Sequence, residues 1–193
     1  MPEHRELPLF RWGEELRRDR SARHAGRRSM LIAVVCSMLV MGLLATMFWR
    51  PRPLLVWNAS ASSPTGLYLV QSADGVAVDD MVIAWLPDDA RRLGAARHYI
   101  PANVPLVKRV AAVAGDEVCA AGEAIFVNGR LEALRRMQDP AGRDMPWWTG
   151  CETLREGELF LLTPGADTSF DGRYFGITGP SLVVGAARLL WRS

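Results

Sequence analysis

An uncharged apolar run of 20 residues, 30–49 (MLIAVVCSMLVMGLLATMFW), constrains the fold of this chain more than any other feature of its sequence. A helix needs about 20 such residues to cross the roughly 30 Å hydrocarbon layer of a bilayer. A cleavable signal peptide is the alternative, but its apolar core is usually about 7–15 residues long behind a short basic start. Here 29 residues precede the run, and RPRP follows it in place of a small-residue cleavage site. The sequence therefore predicts an uncleaved transmembrane helix over 30–49.

The arginines on either side of this run predict its orientation. Eight of them lie in residues 1–29, against two in the 40 residues that follow the run. Because positively charged flanks stay in the cytoplasm, we expect a cytoplasmic basic tail over 1–29 on the inner membrane. Residues 50–193 would then form a periplasmic domain. The formal net charge of +2 gives no indication of a nucleic-acid partner, so the first partner implied is the lipid bilayer.

Beyond residue 53 the pattern changes to short apolar runs punctuated by Gly, Pro and Asp, which is typical of strands. The predicted strands are Gly66–Val70, Met81–Leu86, Leu106–Ala114, Ala124–Val127, Arg130–Ala133, Glu158–Leu162 and Leu182–Trp191. We expect one soluble helix over Asp88–Tyr99, an irregular insertion over Met137–Gly150, and a hairpin turn at Asn128-Gly129. The predicted fold class is mainly β, with a single N-terminal transmembrane helix followed by a compact antiparallel domain.

Lysine occurs once in this chain, at position 108, among 23 basic residues. Strand alternation places Lys108 on one face with Leu106, Val110 and Ala112. In one interpretation its stem packs while the ammonium reaches water. In the other, the amine is desolvated and its pKa falls far enough for it to act as a general base. An arginine could not take that role, because a guanidinium does not lose its proton at usable pH.

Two polar segments could complete a site around this lysine. A serine-rich segment, 58–68 (NASASSPTGLY), begins so soon after the apolar run that an extended chain keeps it within about 45 Å of the membrane. A second segment, 167–176 (DTSFDGRYFG), follows the predicted strand GELFLLTP. Taken alone, the first is typical of a linker and the second of a polar turn.

In this order behind an anchor, the three segments resemble the type I signal peptidases, specifically the conjugative-transfer (TraF-like) branch of that membrane-anchored Ser/Lys family. The motifs are Asn58-x-Ser60-x-Ser62-x-Pro64-x-Gly66-x-Tyr68, Val107-Lys108-Arg109-Val110 running to Gly115-Asp116, and Ser169-x-Asp171-x-Arg173-Tyr174-x-Gly176. The resemblance implies a catalytic domain of signal-peptidase type, with Ser62 as the nucleophile and Lys108 as the general base. Ser63 remains a rival for the nucleophile. The turn AAVAGD departs from the bulkier or proline-containing turn that is more frequent in the family, which leaves the shape of the substrate groove open.

The resemblance also implies roles for four further residues. The Ser60 hydroxyl would join the backbone N–H of the nucleophile in an oxyanion hole. Ser169 would hold the amine by a hydrogen bond. Asp171 would act through Arg173 and the local fold, because an ionised carboxylate that touched the amine would raise its pKa.

Other chemistries fit the sequence poorly. Outside the N-terminal tail only His98 could serve a Ser-His-Asp triad, and it lies in the predicted surface helix. Three histidines without HExxH and three cysteines without CxxC spacing indicate no metal site, and no cofactor is implied. In an oxidising periplasm Cys119 and Cys151 could form a disulfide, which would hold the intervening hairpin and insertion against the Glu158 strand. Two unpaired buried thiols are the alternative.

These features together predict a membrane-anchored serine endopeptidase that removes leader peptides from membrane-inserted precursors. The resemblance indicates a conjugative pilin or another transfer protein as the substrate, and it leaves hydrolysis and cyclisation of the product as alternatives. The competing hypothesis is a catalytically silent anchored β-domain that scaffolds a conjugation or secretion apparatus. In that case Ser62 and Lys108 would be dispensable. The sequence does not indicate an oligomeric state.

Overall fold

The computed structural model describes residues 28, 30–46, 53–60, 62–165 and 168–192. Two compact units divide the chain, Met1–Pro51 and Arg52–Ser193. The predicted basic tail over 1–29 lies outside the described residues except for residue 28. The other positions outside them are 47–52, 61, 166–167 and 193.

The first unit contains helix α1, which spans residues 30–46, and its side chains are exposed. The helix covers the first 17 residues of the uncharged apolar run. Within the described part of the chain, no helix reaches the length and hydropathy that a membrane crossing requires. Residues 47–49 of the predicted anchor lie outside the described residues.

Among the described residues, the second unit consists of ten strands, two short α-helices and a 3-10 turn at Pro180–Leu182 that directly precedes the last strand. In chain order the strands and α-helices are β1 (Leu55–Asn58), β2 (Gly66–Gln71), β3 (Met81–Ala84), α2 (Asp88–Ala96), β4 (Leu106–Ala112), β5 (Glu117–Ala121), β6 (Ala124–Val127), β7 (Arg130–Leu134), β8 (Gly150–Thr153), β9 (Phe160–Leu162), α3 (Gly172–Phe175) and β10 (Val183–Arg192). They form a six-stranded sheet in the order β1-β2-β10-β3-β4-β9 and a four-stranded sheet in the order β7-β6-β5-β8. All the pairings are antiparallel, which confirms the predicted mainly β class.

Strand β4 carries the lysine, and it lies between β3 and β9 in the larger sheet. Lys108 is paired with Val82 in register, so it faces the same side as a core cluster that contains Val82 and Val110. The opposite face of the strand is also covered, since Val107 belongs to a second cluster with Ile83. Because both faces of the sheet are buried, β4 holds the lysine stem inside the domain.

Three strands of the structure were not predicted from the sequence, and one helix is shorter than predicted. The missed strands are β1, β5 and β8. All four residues of β8 are exposed, so no alternation of apolar and polar residues marks it. Helix α2 ends at Ala96 and not at Tyr99, because His98 adopts a left-handed backbone with φ of 59°. The segment predicted as an irregular insertion contains only an isolated bridge, Gln138 to Asp144, before β8 begins.

A disulfide joins Cys119 to Cys151, which face each other in register on β5 and β8. It encloses β6, β7 and the irregular segment between them. As expected, the hairpin and the insertion lie against the strand at 160–162, because Ile125 and Trp148 pack with Phe160 in one core cluster. That strand pairs with β4 in the other sheet, and the bridge itself joins β5 to β8 within the small sheet.

Removing this bridge should destabilise the second unit. We expect the Cys119→Ala/Cys151→Ala variant of the full chain to lose about 2–4 kcal/mol of unfolding free energy, because the cross-link restricts the unfolded chain over 32 residues. Denaturant titration in detergent, followed by tryptophan fluorescence, measures the change. The matched control is Cys36→Ala, which removes a free and exposed cysteine in α1 and should leave the midpoint unchanged. An unchanged midpoint in the double variant would contradict the prediction.

Candidate active site

The amine of Lys108 lies in a cluster of three hydroxyl groups. Its Nζ is 2.9 Å from Ser62 Oγ, 2.8 Å from Thr163 Oγ1 and 2.7 Å from Ser169 Oγ. Lys108 is only 2% exposed, so the protein and not bulk water supplies these hydrogen-bond partners. The partners come from the loop after β1, the end of β9 and the segment before α3. The structure thus brings Ser62, Lys108 and Ser169 together as the sequence predicts.

Burial lowers the pKa of Lys108 to about 8, because the charged form is poorly solvated inside the domain. The negative charge of Asp171 raises this pKa and the positive charge of Arg173 lowers it again. A neutral amine has two N–H donors and one lone pair. Thr163 and Ser169 can accept the two donors, which leaves the lone pair for the hydroxyl proton of Ser62. The cluster therefore has the composition that a general base beside a serine nucleophile requires.

Asn58 folds the serine-rich segment into a compact loop. Its side-chain N–H groups donate to the carbonyl oxygens of Ser60, Ser63 and Pro64 at 3.1–3.2 Å. Its Oδ1 accepts the backbone N–H of Ser60 at 3.1 Å. At the far end of the motif, the Tyr68 hydroxyl donates to the Pro64 carbonyl at 2.7 Å. These bonds explain why an amide and a phenol flank the serines in the sequence.

The two groups implied for an oxyanion hole are neighbours in this loop. Ser60 Oγ lies 2.9 Å from Ser62 Oγ, and the backbone N–H of Ser62 donates to Ser60 Oγ at 3.3 Å. A substrate carbonyl oxygen would have to replace Ser60 Oγ as the acceptor of that N–H. Both donors are therefore within reach of a bond attacked by Ser62.

The rival serine makes a different contact. The hydroxyl of Ser63 donates to the backbone carbonyl of Val107 at 2.7 Å and is buried. This bond fastens the loop to β4 one residue before the lysine. Of the two serines, only Ser62 contacts the amine, which favours Ser62 as the nucleophile.

Asp171 and Arg173 form a fully buried ion pair that holds the backbone of Thr163. The carboxylate accepts from Arg173 Nε at 2.9 Å and from Nη2 at 3.0 Å. It also accepts the backbone N–H of Thr163 at 2.9 Å, while Arg173 Nη2 donates to the Thr163 carbonyl at 2.8 Å. The ion pair thus fixes both polar groups of the Thr163 backbone, and with them the hydroxyl that contacts Lys108.

The small sheet supports this ion pair through Arg135, which the sequence did not single out. Its Nη1 donates to the carbonyl of Arg173 at 3.2 Å, and its Nη2 donates to the carbonyl of Trp148 at 2.7 Å. Trp148 Nε1 in turn donates to the carbonyl of Gly172 at 3.1 Å. Only glycine fits at 172, because a Cβ there would lie 2.8 Å from the carbonyl oxygen of Leu161. The start of α3 is therefore held from both sheets.

Two clefts meet at Ser62, one mainly apolar and one that contains arginines. The larger, of about 850 Å³, has walls that include Trp57, Ser60, Ile100, Val104, Leu106, Lys108, Ser169 and Phe170. The smaller, of about 600 Å³, has walls that include Ser63, Pro64, Met81, Arg109, Thr163 and Arg192. His98 is exposed and lines neither of them. A polypeptide bound with its scissile bond at Ser62 would have both clefts within reach.

Sequence reasoning missed Thr163 as a partner of the lysine. It directly follows the strand at 160–162, but a threonine at the end of a strand is too common to indicate a catalytic cluster. Only its position relative to the amine distinguishes it, and that position follows from the pairing of β9 with β4.

Comparison with known proteins gives three results. A family model described as signal peptidase, peptidase S26, matches residues 27–192. Two proteins from Escherichia coli named plasmid transfer protein TraF are similar to this chain. One is 34% identical over 145 residues, covering 71% of this chain and 77% of the relative, and the other is 36% identical over 133 residues, covering 62% and 72%. A crystal structure of a signal peptidase I from Enterococcus faecalis is 18% identical with a TM-score of 0.34, covering 60% of this chain and 98% of that one.

The single lysine permits a direct measurement of the amine's pKa. Labelling the full chain with [¹³Cε]lysine gives one side-chain signal, from Lys108, and NMR titration in detergent should yield a pKa of about 8. Thr163→Val should lower that pKa further, because it removes an acceptor that stabilises the ammonium, and Thr163→Ser should restore it. A pKa near the ordinary value of 10.5 would contradict the prediction.

Proposed function

Because the chain belongs to the signal peptidase (peptidase S26) family, in its TraF-like branch, we propose that Ser62 and Lys108 are the dyad with which it releases leader peptides. Membership makes the protein a serine-type signal peptidase, which acts on precursors that carry a leader. The observation that carries the assignment of the dyad is the 2.9 Å separation of Lys108 Nζ and Ser62 Oγ within a buried cluster.

In the acylation step, the neutral amine of Lys108 accepts the hydroxyl proton of Ser62 while Oγ attacks the carbonyl carbon of the scissile bond. The tetrahedral intermediate collapses when the C–N bond breaks and the Lys108 ammonium returns its proton to the leaving amine. Roughly one-tenth of the lysine is neutral at pH 7 if its pKa is about 8. The rate of acylation should therefore rise with pH until the amine of Lys108 is mostly deprotonated.

The negative charge that develops on the carbonyl oxygen needs donors that are already in place. We assign this role to the backbone N–H of Ser62 and the hydroxyl of Ser60, which lie together in the loop after β1. One such donor typically contributes about 10²- to 10³-fold in rate. In the free site the backbone N–H of Ser62 donates to Ser60 Oγ, and the Ser60 hydroxyl can donate to Ser62 Oγ.

Deacylation uses the same amine. Lys108 accepts a proton from the attacking water, the hydroxide oxygen bonds to the acyl carbon, and the ester C–O bond to Ser62 breaks as the proton passes to Oγ. An amine of the same precursor could attack in place of water, and the product would then be cyclic. Both routes need Lys108 as the base.

A catalytically silent scaffold accounts less well for the burial of Lys108. Burying an amine whose charged form is desolvated costs free energy, and an apolar side chain of similar length would avoid that cost. The surrounding hydroxyls would be equally unnecessary in a purely structural core. The cluster is better explained as a site whose chemistry requires an amine.

For the membrane, we propose that 30–49 anchors the protein with its N-terminus in the cytoplasm and its catalytic domain over 50–193 in the periplasm. The support comes from the uncharged 20-residue run and from the excess of arginine before it. The disulfide between Cys119 and Cys151 agrees with an oxidising compartment.

As substrate, we propose a membrane-inserted precursor from a conjugation system, such as a pilin or another transfer protein. Two similar proteins bear the name plasmid transfer protein. The larger cleft beside Ser62 is lined mainly by apolar side chains, which suits the apolar residues of a leader. The anchor would keep enzyme and precursor in the same bilayer.

The dyad can be tested by co-expressing the full-length enzyme with a candidate pilin precursor and following both precursor and mature product by immunoblot. We expect Ser62→Ala and Lys108→Arg to leave the precursor unprocessed, since loss of a nucleophile or base typically costs about 10⁴-fold or more. The matched control is Ser63→Ala, which removes a neighbouring hydroxyl that contacts only the Val107 backbone among the described residues and should retain processing. Processing by Lys108→Arg at the wild-type level would refute the dyad.

The proposed topology predicts the behaviour of reporter fusions. Alkaline phosphatase, which is active only after export, should be active when fused after Ser193 and inactive when fused after residue 29. The full chain should also remain in the membrane fraction after carbonate washing. An inactive C-terminal fusion that is expressed at full length would contradict the orientation.

A further inference from the structure

We propose that Asp139, in the irregular segment between β7 and β8, is a positioning residue for the dyad. It fixes the ring of Tyr99, and this ring supports the residue next to Ser169, the hydroxyl partner of the lysine. The inference rests on the proposed function, because it adds to the residues that place the base. Asp139 lies outside the three sequence motifs and outside the ion pair that supports the site.

The segment that carries Ser169 is held by its side chains. In the part of the chain that the structure describes, neither Ser169 nor Phe170 makes a backbone–backbone hydrogen bond. The Ser169 hydroxyl contacts Lys108 at 2.7 Å and Thr163 at 3.0 Å. Phe170 lies between this serine and the ion pair that begins at Asp171. The packing of its ring therefore helps to set where the serine hydroxyl lies.

Three aromatic rings pack around Phe170. Those of Tyr174 and Phe175 belong to α3, and their centroids are 6.0 and 5.8 Å from that of Phe170. The third, Tyr99, is at 5.4 Å with the rings tilted by 58°, a favourable geometry for an aromatic pair. The two rings of α3 follow Phe170 directly along the chain. Tyr99 is thus the ring that supports Phe170 from a distant part of the sequence.

Tyr99 is held at both of its ends. It follows the left-handed residue His98 after α2, and its backbone N–H donates to the carbonyl of Gly94 at 2.9 Å. At the other end, its hydroxyl donates to the carboxylate of Asp139. The ring therefore lies between the end of α2 and the irregular segment, and Asp139 fixes its outer edge.

The carboxylate of Asp139 is rigidly placed. Its side chain is only 2% exposed. One oxygen accepts the backbone N–H groups of Ala141 and Arg143, both at 2.9 Å, and the other accepts Arg143 Nε at 2.7 Å in addition to the phenol. The hydrogen bond from Tyr99, reinforced by those from Arg143, holds the pKa of Asp139 well below its ordinary value. Its charge is consequently constant over the range in which Lys108 titrates.

The bonds within the irregular segment would be sufficient if Asp139 only closed a turn. The bond to Tyr99 is the one directed at the site. Asp139 lines neither of the two clefts beside Ser62, whereas Tyr99 and Phe170 both line the larger one. A substitution at 139 can therefore reach the dyad through these rings without removing a contact to a bound polypeptide.

The NMR signal of Lys108 reports on the position of Ser169 without any substrate. In the full chain labelled with [¹³Cε]lysine in detergent, Ser169→Ala should lower the pKa of Lys108 by about 0.5–1, because it removes an acceptor that stabilises the ammonium. Tyr99→Phe removes the bond to Asp139 without changing any charge, and Asp139→Asn weakens the same bond. Each should lower that pKa by part of the Ser169→Ala effect.

Double variants separate positioning from a merely structural role. If Asp139 acts through Ser169, adding Asp139→Asn or Tyr99→Phe to Ser169→Ala should lower the pKa of Lys108 no further than Ser169→Ala alone. The matched control is Asp144→Asn, which removes an exposed carboxylate of the same segment that accepts from Gln138, and which should leave the pKa unchanged.

Three results would overturn the inference: a pKa that stays at the wild-type value in Tyr99→Phe and Asp139→Asn, effects that add in full to Ser169→Ala, or an equal shift in Asp144→Asn. Loss of unfolding free energy with an unmoved Lys108 signal is the first of these results, and it would leave Asp139 with a structural role only. The measurement needs no cleavage. Failure of the dyad in the processing assay and failure of this inference are therefore distinguishable.

Discussion

The buried ion pair between Asp171 and Arg173 is the interaction on which the site depends. An unpaired carboxylate beside Lys108 would stabilise the ammonium and remove the base from use. Because Asp171 is bonded twice to Arg173 and once to the backbone of Thr163, its charge is largely compensated within the pair. The same bonds position the Thr163 hydroxyl. Burial lowers the pKa of Lys108, and Arg173 limits the rise that the charge of Asp171 would otherwise cause. The same ion pair orders a hydroxyl that contacts the amine.

The hydroxyl cluster is assembled entirely by long-range contacts. Ser62, Thr163 and Ser169 lie 46, 55 and 61 residues from Lys108 along the chain. Each belongs to a segment fixed by other bonds: the loop held by Asn58, the strand end paired with β4, and the turn supported by Arg135. The amine can be held at hydrogen-bond distance from all three only when the larger sheet and α3 are formed. The site is therefore complete only in the folded domain.

The sequence predicted much of this fold and site, and its failures have physical reasons. Alternation placed Lys108 on an apolar strand face but left open whether its amine is buried, and the structure buries it. The mainly β class is confirmed, and the core strands carry regular apolar runs. Strand β8 could not be predicted, since it is exposed throughout and is held by pairing to β5. Thr163 and Arg135 act through neighbours that are distant in sequence, so no local pattern distinguishes them from an ordinary strand end and an ordinary surface cation.

The three hydroxyl partners of Lys108 have a consequence for how such a protein can evolve. Each differs from a small apolar side chain by a single oxygen, and none belongs to the ion pair that holds α3 and the end of β9 together. A copy that loses these oxygens together with the Lys108 amine leaves no unpartnered polar group in their place and can keep its sheets, its disulfide and its buried ion pair. Inactive paralogues that fold like the enzyme could thus arise. The residues at positions 62, 108, 163 and 169 would distinguish them from active enzymes in sequence comparisons.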